Sequence, residues 1–190
     1  EGIELKWIDI GGGLGITYDV EDPPTPKEWA TAVGDVLNDA GLGIITEPGR
    51  SIVGNAAVLL TKVLYLKRNE DKNFVVVDAA MNDLIRPSFY DSFHRIQPVV
   101  QRGTEPFVAD VVGPVCESGD FLARNRSIAR PEQGDILAVM SAGAYGFAMS
   151  SQYNSRRRAA EVMVKGGTWQ VIRDRETCED LVRGERFFTL

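Results

Sequence analysis

At 190 residues, 44% hydrophobic and 25% charged, with a formal net charge of −6, the chain is long and apolar enough to bury a core. Its basic residues are scattered, which disfavours a nucleic-acid surface, and no apolar run approaches the roughly 20 residues needed to cross a bilayer. The two cysteines, Cys116 and Cys178, make no disulfide framework, so a reducing compartment, the cytoplasm, is expected, with neither nucleic acid nor membrane as partner.

The first residue is Glu rather than Met, and the chain at once enters a strand-like run, residues 3–10, as though joining the middle of a fold. Gly11, Gly12 and Gly13 follow. Residues without side chains let backbone N–H groups close around a phosphate, although the spacing matches neither the dinucleotide fingerprint nor the P-loop, and a plain tight turn competes. A helix comes next: Thr25 and Glu28 have capping-box spacing and Pro26 suits the first helical position. Trp29, Val33, Val36, Leu37 and Ala40 share one face before Gly41 ends it. Residues 44–46 predict a buried strand. Strand, crossover helix and strand imply a parallel sheet, whose ligands gather at the carboxyl ends of its strands. Glu47, Pro48, Gly49 and Arg50 lie at such an end. There Glu47 suits a cationic ring nitrogen, and Arg50 or the adjacent backbone suits an anion; a strand-end salt bridge is the competing reading.

From about residue 52 the pattern turns β-rich. Runs at 58–67, 74–78, 97–100, 107–112 and 135–140, separated by turn formers, predict an antiparallel sheet or barrel. Residues 78–90 read as a polar and aromatic loop in which Arg86 can fork onto a carboxylate and Tyr90 can donate to the same group. His94 is the only histidine, and without a second His or clustered Cys it gives no basis for a zinc site. Gly113 and Pro114 break the strand-like run before them, and Gly119 permits dihedrals forbidden to a β-carbon. Cys116 and Glu117 are therefore expected at a strand end, as a reactive pair or as a small thiol beside a solvated acid. A helix starting near Ala144 would put Tyr145 at a strand-to-helix junction among small residues, free to meet a ligand or packed in the core. Arg156, Arg157 and Arg158 read as a solvated helix end or an anion contact. A hairpin, 161–165 and 168–172 around Gly166 and Gly167, and a short helix after Glu176 complete the pattern.

Taken in order, the glycine turn at 11–13, Glu47 to Arg50, Arg86 with Tyr90, the Cys-Glu-Ser-Gly-Asp run at 116–120 and residues 142–146 resemble the C-terminal half of the diaminopimelate decarboxylase family. These are fold-type III enzymes dependent on pyridoxal 5′-phosphate. Related ornithine and arginine decarboxylases share the glycine turn, the Glu-Pro-Gly-Arg turn and a cysteine, but carry different residues after it.

The resemblance implies an α/β plus all-β architecture. Residues 1–51 would be the last part of a β/α barrel of the TIM-like, alanine racemase type. Residues 52–190 would be a C-terminal antiparallel β-domain with short helices, returning to the barrel near 144–154. The implied activity is decarboxylation of meso-diaminopimelate at its D-centre to L-lysine and carbon dioxide, the last step of lysine biosynthesis, in a homodimer with shared active sites. Cofactor binding falls to Gly12, Gly13, Glu47, Pro48, Gly49, Arg50 and Tyr145. Substrate binding falls to Arg50, Arg86, Tyr90, Glu117 and Tyr145, and Cys116 matches the position that protonates the product carbon. The family's Schiff-base lysine and cofactor-stacking histidine match nothing in this sequence, and a whole barrel needs about 250 residues. The chain is therefore expected to be a fragment, inactive by itself, with the barrel's N-terminal half elsewhere. Two alternatives are an ornithine- or arginine-type decarboxylase of the same fold and a non-catalytic regulatory homologue.

Overall fold

The computed structural model describes residues 2 and 4–188, so Ile3, in the first expected strand run, lies outside the described residues. The βαβ unit forms as its sequence signals dictate. β1 (Trp7–Asp9) pairs in parallel with β2 (Gly43–Ile45). Between them runs α1 (Pro26–Leu37), started by a reciprocal cap: the Glu28 N–H donates to the Thr25 hydroxyl, and the Thr25 N–H donates to the Glu28 carboxylate at 2.8 Å. Gly41 ends the following 3₁₀ turn in the left-handed conformation, φ 65°. Two expectations fail here. Val36 and Ala40 stand in solvent while Trp29, Val33 and Leu37 are half-buried, and Ile44 and Ile45 are exposed rather than buried. The reason is that β1 and β2 form a two-stranded sheet that no other strand joins among the described residues.

A six-stranded sheet holds the core. Its strands are β3 (Leu59–Arg68), β4 (Asn73–Val77), β5 (Ile96–Pro98), β6 (Pro106–Val112), β7 (Phe121–Ala129) and β8 (Ile136–Val139), in the order β5-β8-β3-β4-β6-β7. The sheet is mixed, not purely antiparallel: β4 and β6 run parallel, Phe74 opposite Asp110. The chain between them passes through α3 (Arg86–Tyr90) and β5, a crossover long enough to reverse direction twice. Residues 78–90, expected as a loop, thus end in a one-turn helix. β4 lies in the middle of the sheet, which is why Val75, Val76 and Val77 are buried in unbroken succession. Val75 and Val77 pack with Val63, Leu84, Val111, Leu122, Leu137 and Val139 in one cluster, while Val76 faces the opposite side of the strand. Each such side chain contributes about 1.5–3 kcal/mol on burial. The sheet almost closes on itself, since Arg126 of β7 donates to the His94 carbonyl just before β5 at 2.7 Å.

After β8 the chain turns at residues 141–146 and enters a 3₁₀ turn, Phe147–Met149; no α-helix starts near Ala144. Ser141 (φ 58°) and Tyr145 (φ 62°) are both left-handed, which a right-handed helix forbids. The arginine cluster follows a single 3₁₀ turn, Tyr153–Ser155, which Arg156 caps, rather than a solvated α-helix end. Arg156 donates to Asn82 Oδ1 and to the Asp78 carbonyl at 2.8 and 2.6 Å, tying this segment to the loop after β4, while Arg157 remains exposed. The final hairpin, β9 (Glu161–Lys165) and β10 (Thr168–Arg173), and α4 (Cys178–Leu181), capped by Thr177 and Asp180, match expectation. No helix of the described residues is long and apolar enough to cross a membrane.

Candidate active site

The two strand-end turns are joined to each other. The Glu47 N–H donates to the Gly11 carbonyl at 2.8 Å, and the Gly11 N–H donates to Asp9 Oδ1 at 2.8 Å. Gly12 is required by space: a β-carbon there would lie 2.5 Å from the Glu47 carbonyl oxygen. Gly11 and Gly13 are required by conformation, at φ 68° and 90°. The N–H groups of Gly12, Gly13 and Arg50 donate to no protein acceptor among the described residues. Glu47, Pro48 and Gly49 are exposed, and α2 (Arg50–Val53) starts directly after them. The turn at 141–146 docks on the end of this helix. The Gly143 N–H donates to the Gly54 carbonyl at 3.0 Å, and the Ser141 hydroxyl donates to Asn55 at 2.7 Å.

Tyr18 and Arg86 draw the remaining residues together. Both Arg50 and Arg86 lie against the Tyr18 ring, their guanidinium carbons 5.9 and 5.4 Å from its centroid, and Arg86 is 5.5 Å from the Tyr145 centroid. Arg86 is 7% exposed. Among the described residues neither arginine forms an ion pair with a carboxylate. A buried cation is costly unless paired, so a guanidinium held without an anion marks a place prepared for one. Tyr90, one helical turn beyond Arg86, is exposed with its ring edge-on to Phe89.

Behind Arg86 lies His94, fully buried, its Nδ1 2.9 Å from the Met140 carbonyl oxygen. Burial holds its pKa below the ordinary 6.5; the Met140 hydrogen bond opposes that shift, and the charges of Arg86 and Arg126 reinforce it. An imidazole neutral when folded and protonated when unfolded contributes stability that is present above pH 6.5 and lost as pH falls below it toward the folded value. Urea midpoints of the protein and of His94→Gln should therefore diverge less at pH 5 than at pH 8. A gap that does not change with pH would contradict a neutral buried imidazole.

Cys116 and Glu117 occupy the β6–β7 turn, both exposed, at the strand end expected for them. The buried Asp120 carboxylate shapes this turn, accepting from the Met81 N–H at 2.7 Å and the Val115 N–H at 2.6 Å. Gly119 serves by size rather than by unusual dihedrals. Its φ is not positive, and a β-carbon would lie 2.6 Å from the Ser88 hydroxyl on α3. Glu117 accepts from the Tyr153 hydroxyl at 3.2 Å, which pushes that phenol's pKa up. Among the described residues, no hydrogen bond or ion pair connects Cys116 or Glu117 to Arg50, Arg86 or Tyr145. By direct contact the candidate residues thus fall into two groups, one around Tyr18 and Arg86 and one in the β6–β7 turn.

A family model described as pyridoxal-dependent decarboxylase, C-terminal sheet domain, matches residues 16–143. The chain belongs to the pyridoxal-dependent decarboxylases. It is 53% identical over 183 residues to the diaminopimelate decarboxylase of Aquifex aeolicus, across 96% of this chain and 44% of that protein. Among solved structures, AQ1208 from Aquifex aeolicus matches with a TM-score of 0.91 at 52% identity, over 95% of this chain and 45% of that one. Diaminopimelate decarboxylase from Helicobacter pylori complexed with L-lysine matches at 0.87 and 43%, over 96% and 45%. The chain spans less than half the length of these relatives.

For a pyridoxal-dependent decarboxylase the first group is a fitting cradle. The glycine turn offers unengaged N–H donors where a side chain would not fit, Glu47 adds a carboxylate beside it, and two arginines without counter-ions stand close by. Sequence reading missed Tyr18, His94 and Tyr153. Each lies near a recognised motif in sequence or space, but nothing in local pattern marks a tyrosine as the post between two arginines.

Proposed function

We propose that the chain is the C-terminal portion of a diaminopimelate decarboxylase that binds pyridoxal 5′-phosphate. The observation that carries this is the buried, uncompensated Arg86, set between Tyr18 and Tyr145 beside the paired Gly11 and Glu47 turns. Support comes from the family match and from relatives of that name at about half identity. In this reading residues 1–51 belong to the cofactor-binding barrel and 52–190 form the β-domain, whose turn near 144–154 returns to the barrel.

Bound pyridoxal phosphate supplies the electron sink for the pair left by departing carbon dioxide. Gly12, Gly13, the backbone of Glu47, Pro48, Gly49 and Arg50, and Tyr145 hold its phosphate. Glu47 keeps a proton on its ring nitrogen. Arg50, Arg86, Tyr90 and Tyr145 receive the carboxylate at the distal L-centre of meso-diaminopimelate, and Glu117 receives the ammonium of that centre. An ornithine-type substrate has no such carboxylate and leaves the arginines unpaired, which is a strong ground for rejection. Cys116 delivers the proton to the product carbon. The exposure of Cys116 and Glu117, and the absence of any hydrogen bond or ion pair from them to Arg86 among the described residues, suit a cytoplasmic homodimer in which each loop completes the partner's site.

Assay of the complete protein on diaminopimelate, ornithine, arginine and lysine tests this. Only diaminopimelate should release carbon dioxide at an appreciable rate, and Cys116→Ala should depress kcat while leaving KM near its original value. Preference for ornithine or arginine would transfer the protein to the other branch of the fold. No turnover of any substrate, with the cofactor-linking lysine absent from the whole protein, would favour the regulatory alternative.

A further inference from the structure

The hydrogen bonds of Arg86 are arranged so that its charge is not consumed. Arginine has five N–H donors, and two of them belong to Nη1. Nη1 donates to the Tyr18 hydroxyl at 2.7 Å and lies 3.3 Å from His94 Nε2. Arginine cannot accept, so Nε2 must present its lone pair. The other face of the ring leads to the same assignment: a carbonyl only accepts, so the Nδ1 facing Met140 carries the proton. Nε and Nη2 of Arg86 have no acceptor among the described residues, and neither is a buried orphan. That remaining edge is the one that takes a carboxylate through two parallel hydrogen bonds.

We propose that Tyr18 and His94 are positioning residues that grip Nη1 through two neutral acceptors, fixing the guanidinium plane while leaving its charge and its Nε–Nη2 edge for the substrate carboxylate. This rests on the reading of Arg86 as the carboxylate receiver. An aspartate in the place of His94 would fix the side chain equally well but would neutralise it. The groups facing the imidazole fit the assignment: Arg86 from α3, the Tyr18 ring edge-on at 5.5 Å, the Met140 carbonyl after β8, and Arg126 from β7, which bonds the His94 carbonyl. No carboxylate bonds the imidazole among the described residues, and its burial beside two arginines keeps it neutral.

The test uses the complete holoenzyme. His94→Leu removes the acceptor and should raise KM for diaminopimelate about 10- to 100-fold, with kcat changed far less. His94→Gln, whose amide oxygen can accept from Arg86, should recover most of that loss. Nitrogen NMR of the labelled imidazole gives a readout independent of turnover, and should show His94 neutral and protonated at Nδ1 at pH 8, taking up its second proton only below its ordinary pKa. A merely structural histidine would give both variants lower thermal stability with KM unmoved, and that result would overturn the proposal. So would an imidazole titrating near its ordinary value. Should the parent enzyme ignore diaminopimelate, the functional reading fails while the NMR measurement still decides the tautomer and charge on which the grip depends.

Discussion

Arg86→Met should lower kcat/KM of the complete enzyme for diaminopimelate by about 30- to 4,000-fold, the range expected when one partner of a desolvated charge pair worth about 2–5 kcal/mol is removed. Most of the change should appear in KM, because the distal carboxylate does not react. Stability should respond differently from that of a structural ion pair. In the present structure the guanidinium has no anion, so removing it relieves a desolvation cost while leaving His94 Nε2 without its donor. The orphaned acceptor costs about 1–3 kcal/mol, and the relief is of similar size, so the melting temperature should move little. Breaking an internal salt bridge would instead cost about 3–5 kcal/mol. Arg86→Lys should fall between, since a point charge cannot bond Tyr18 and His94 and also present a two-donor edge. Steady-state kinetics and thermal unfolding of both variants check this. A large loss of stability with KM unchanged would make Arg86 an architectural residue.

What was legible in the sequence was whatever is decided over a few residues. The Thr25–Glu28 cap, the turn at Gly166 and the break after Val112 are local contests between backbone conformations, and the structure resolves each as the residue types imply. β7 was illegible because Arg124, Asn125 and Arg126 interrupt its apolar pattern. The structure absorbs them with an irregular register: Asn125 at φ 46° turns its N–H to Asp110, and Arg126 reaches His94. The parallel pairing of β4 with β6 depends on a crossover path rather than on any residue. In the site, Glu47, Arg50, Arg86 and Tyr145 could be picked out by motif, yet the meeting of Arg50 and Arg86 on Tyr18, and of Arg86 with Tyr145, is a tertiary fact. The exposed faces of β2 and α1 show the same limit from the other side. Their apolar residues predict burial, and which surface buries them is not written in the residues themselves.

Gly143→Ala tests whether the meeting of Arg86 with Tyr145 is maintained by one close approach. The Gly143 N–H bonds the Gly54 carbonyl, and the neighbouring Ala142 N–H bonds the Ala57 carbonyl at 2.9 Å. A β-carbon on residue 143 would fall on the Val53 carbonyl oxygen, with the Val53 carbonyl carbon at 3.0 Å and the Ala57 nitrogen at 3.1 Å. All of these are backbone atoms, so no rotamer change relieves the clash, and the cost belongs at the upper end of overpacking, about 3 kcal/mol. The functional effect exceeds the stability effect, because Val53 ends the helix that Arg50 begins and Gly143 lies two residues before Tyr145. Pushing the turn away from the helix separates Tyr145 from Arg86 and from the strand-end turns together. The variant should therefore lose cofactor on dialysis and show a raised KM even where it remains folded. Gly166→Ala is the control: its β-carbon meets nothing within 4 Å, so only the cost of φ 58° applies, about 1 kcal/mol at a remote hairpin tip. Equal cofactor retention by the two variants would show that the 141–146 turn is not what holds Tyr145 at the site.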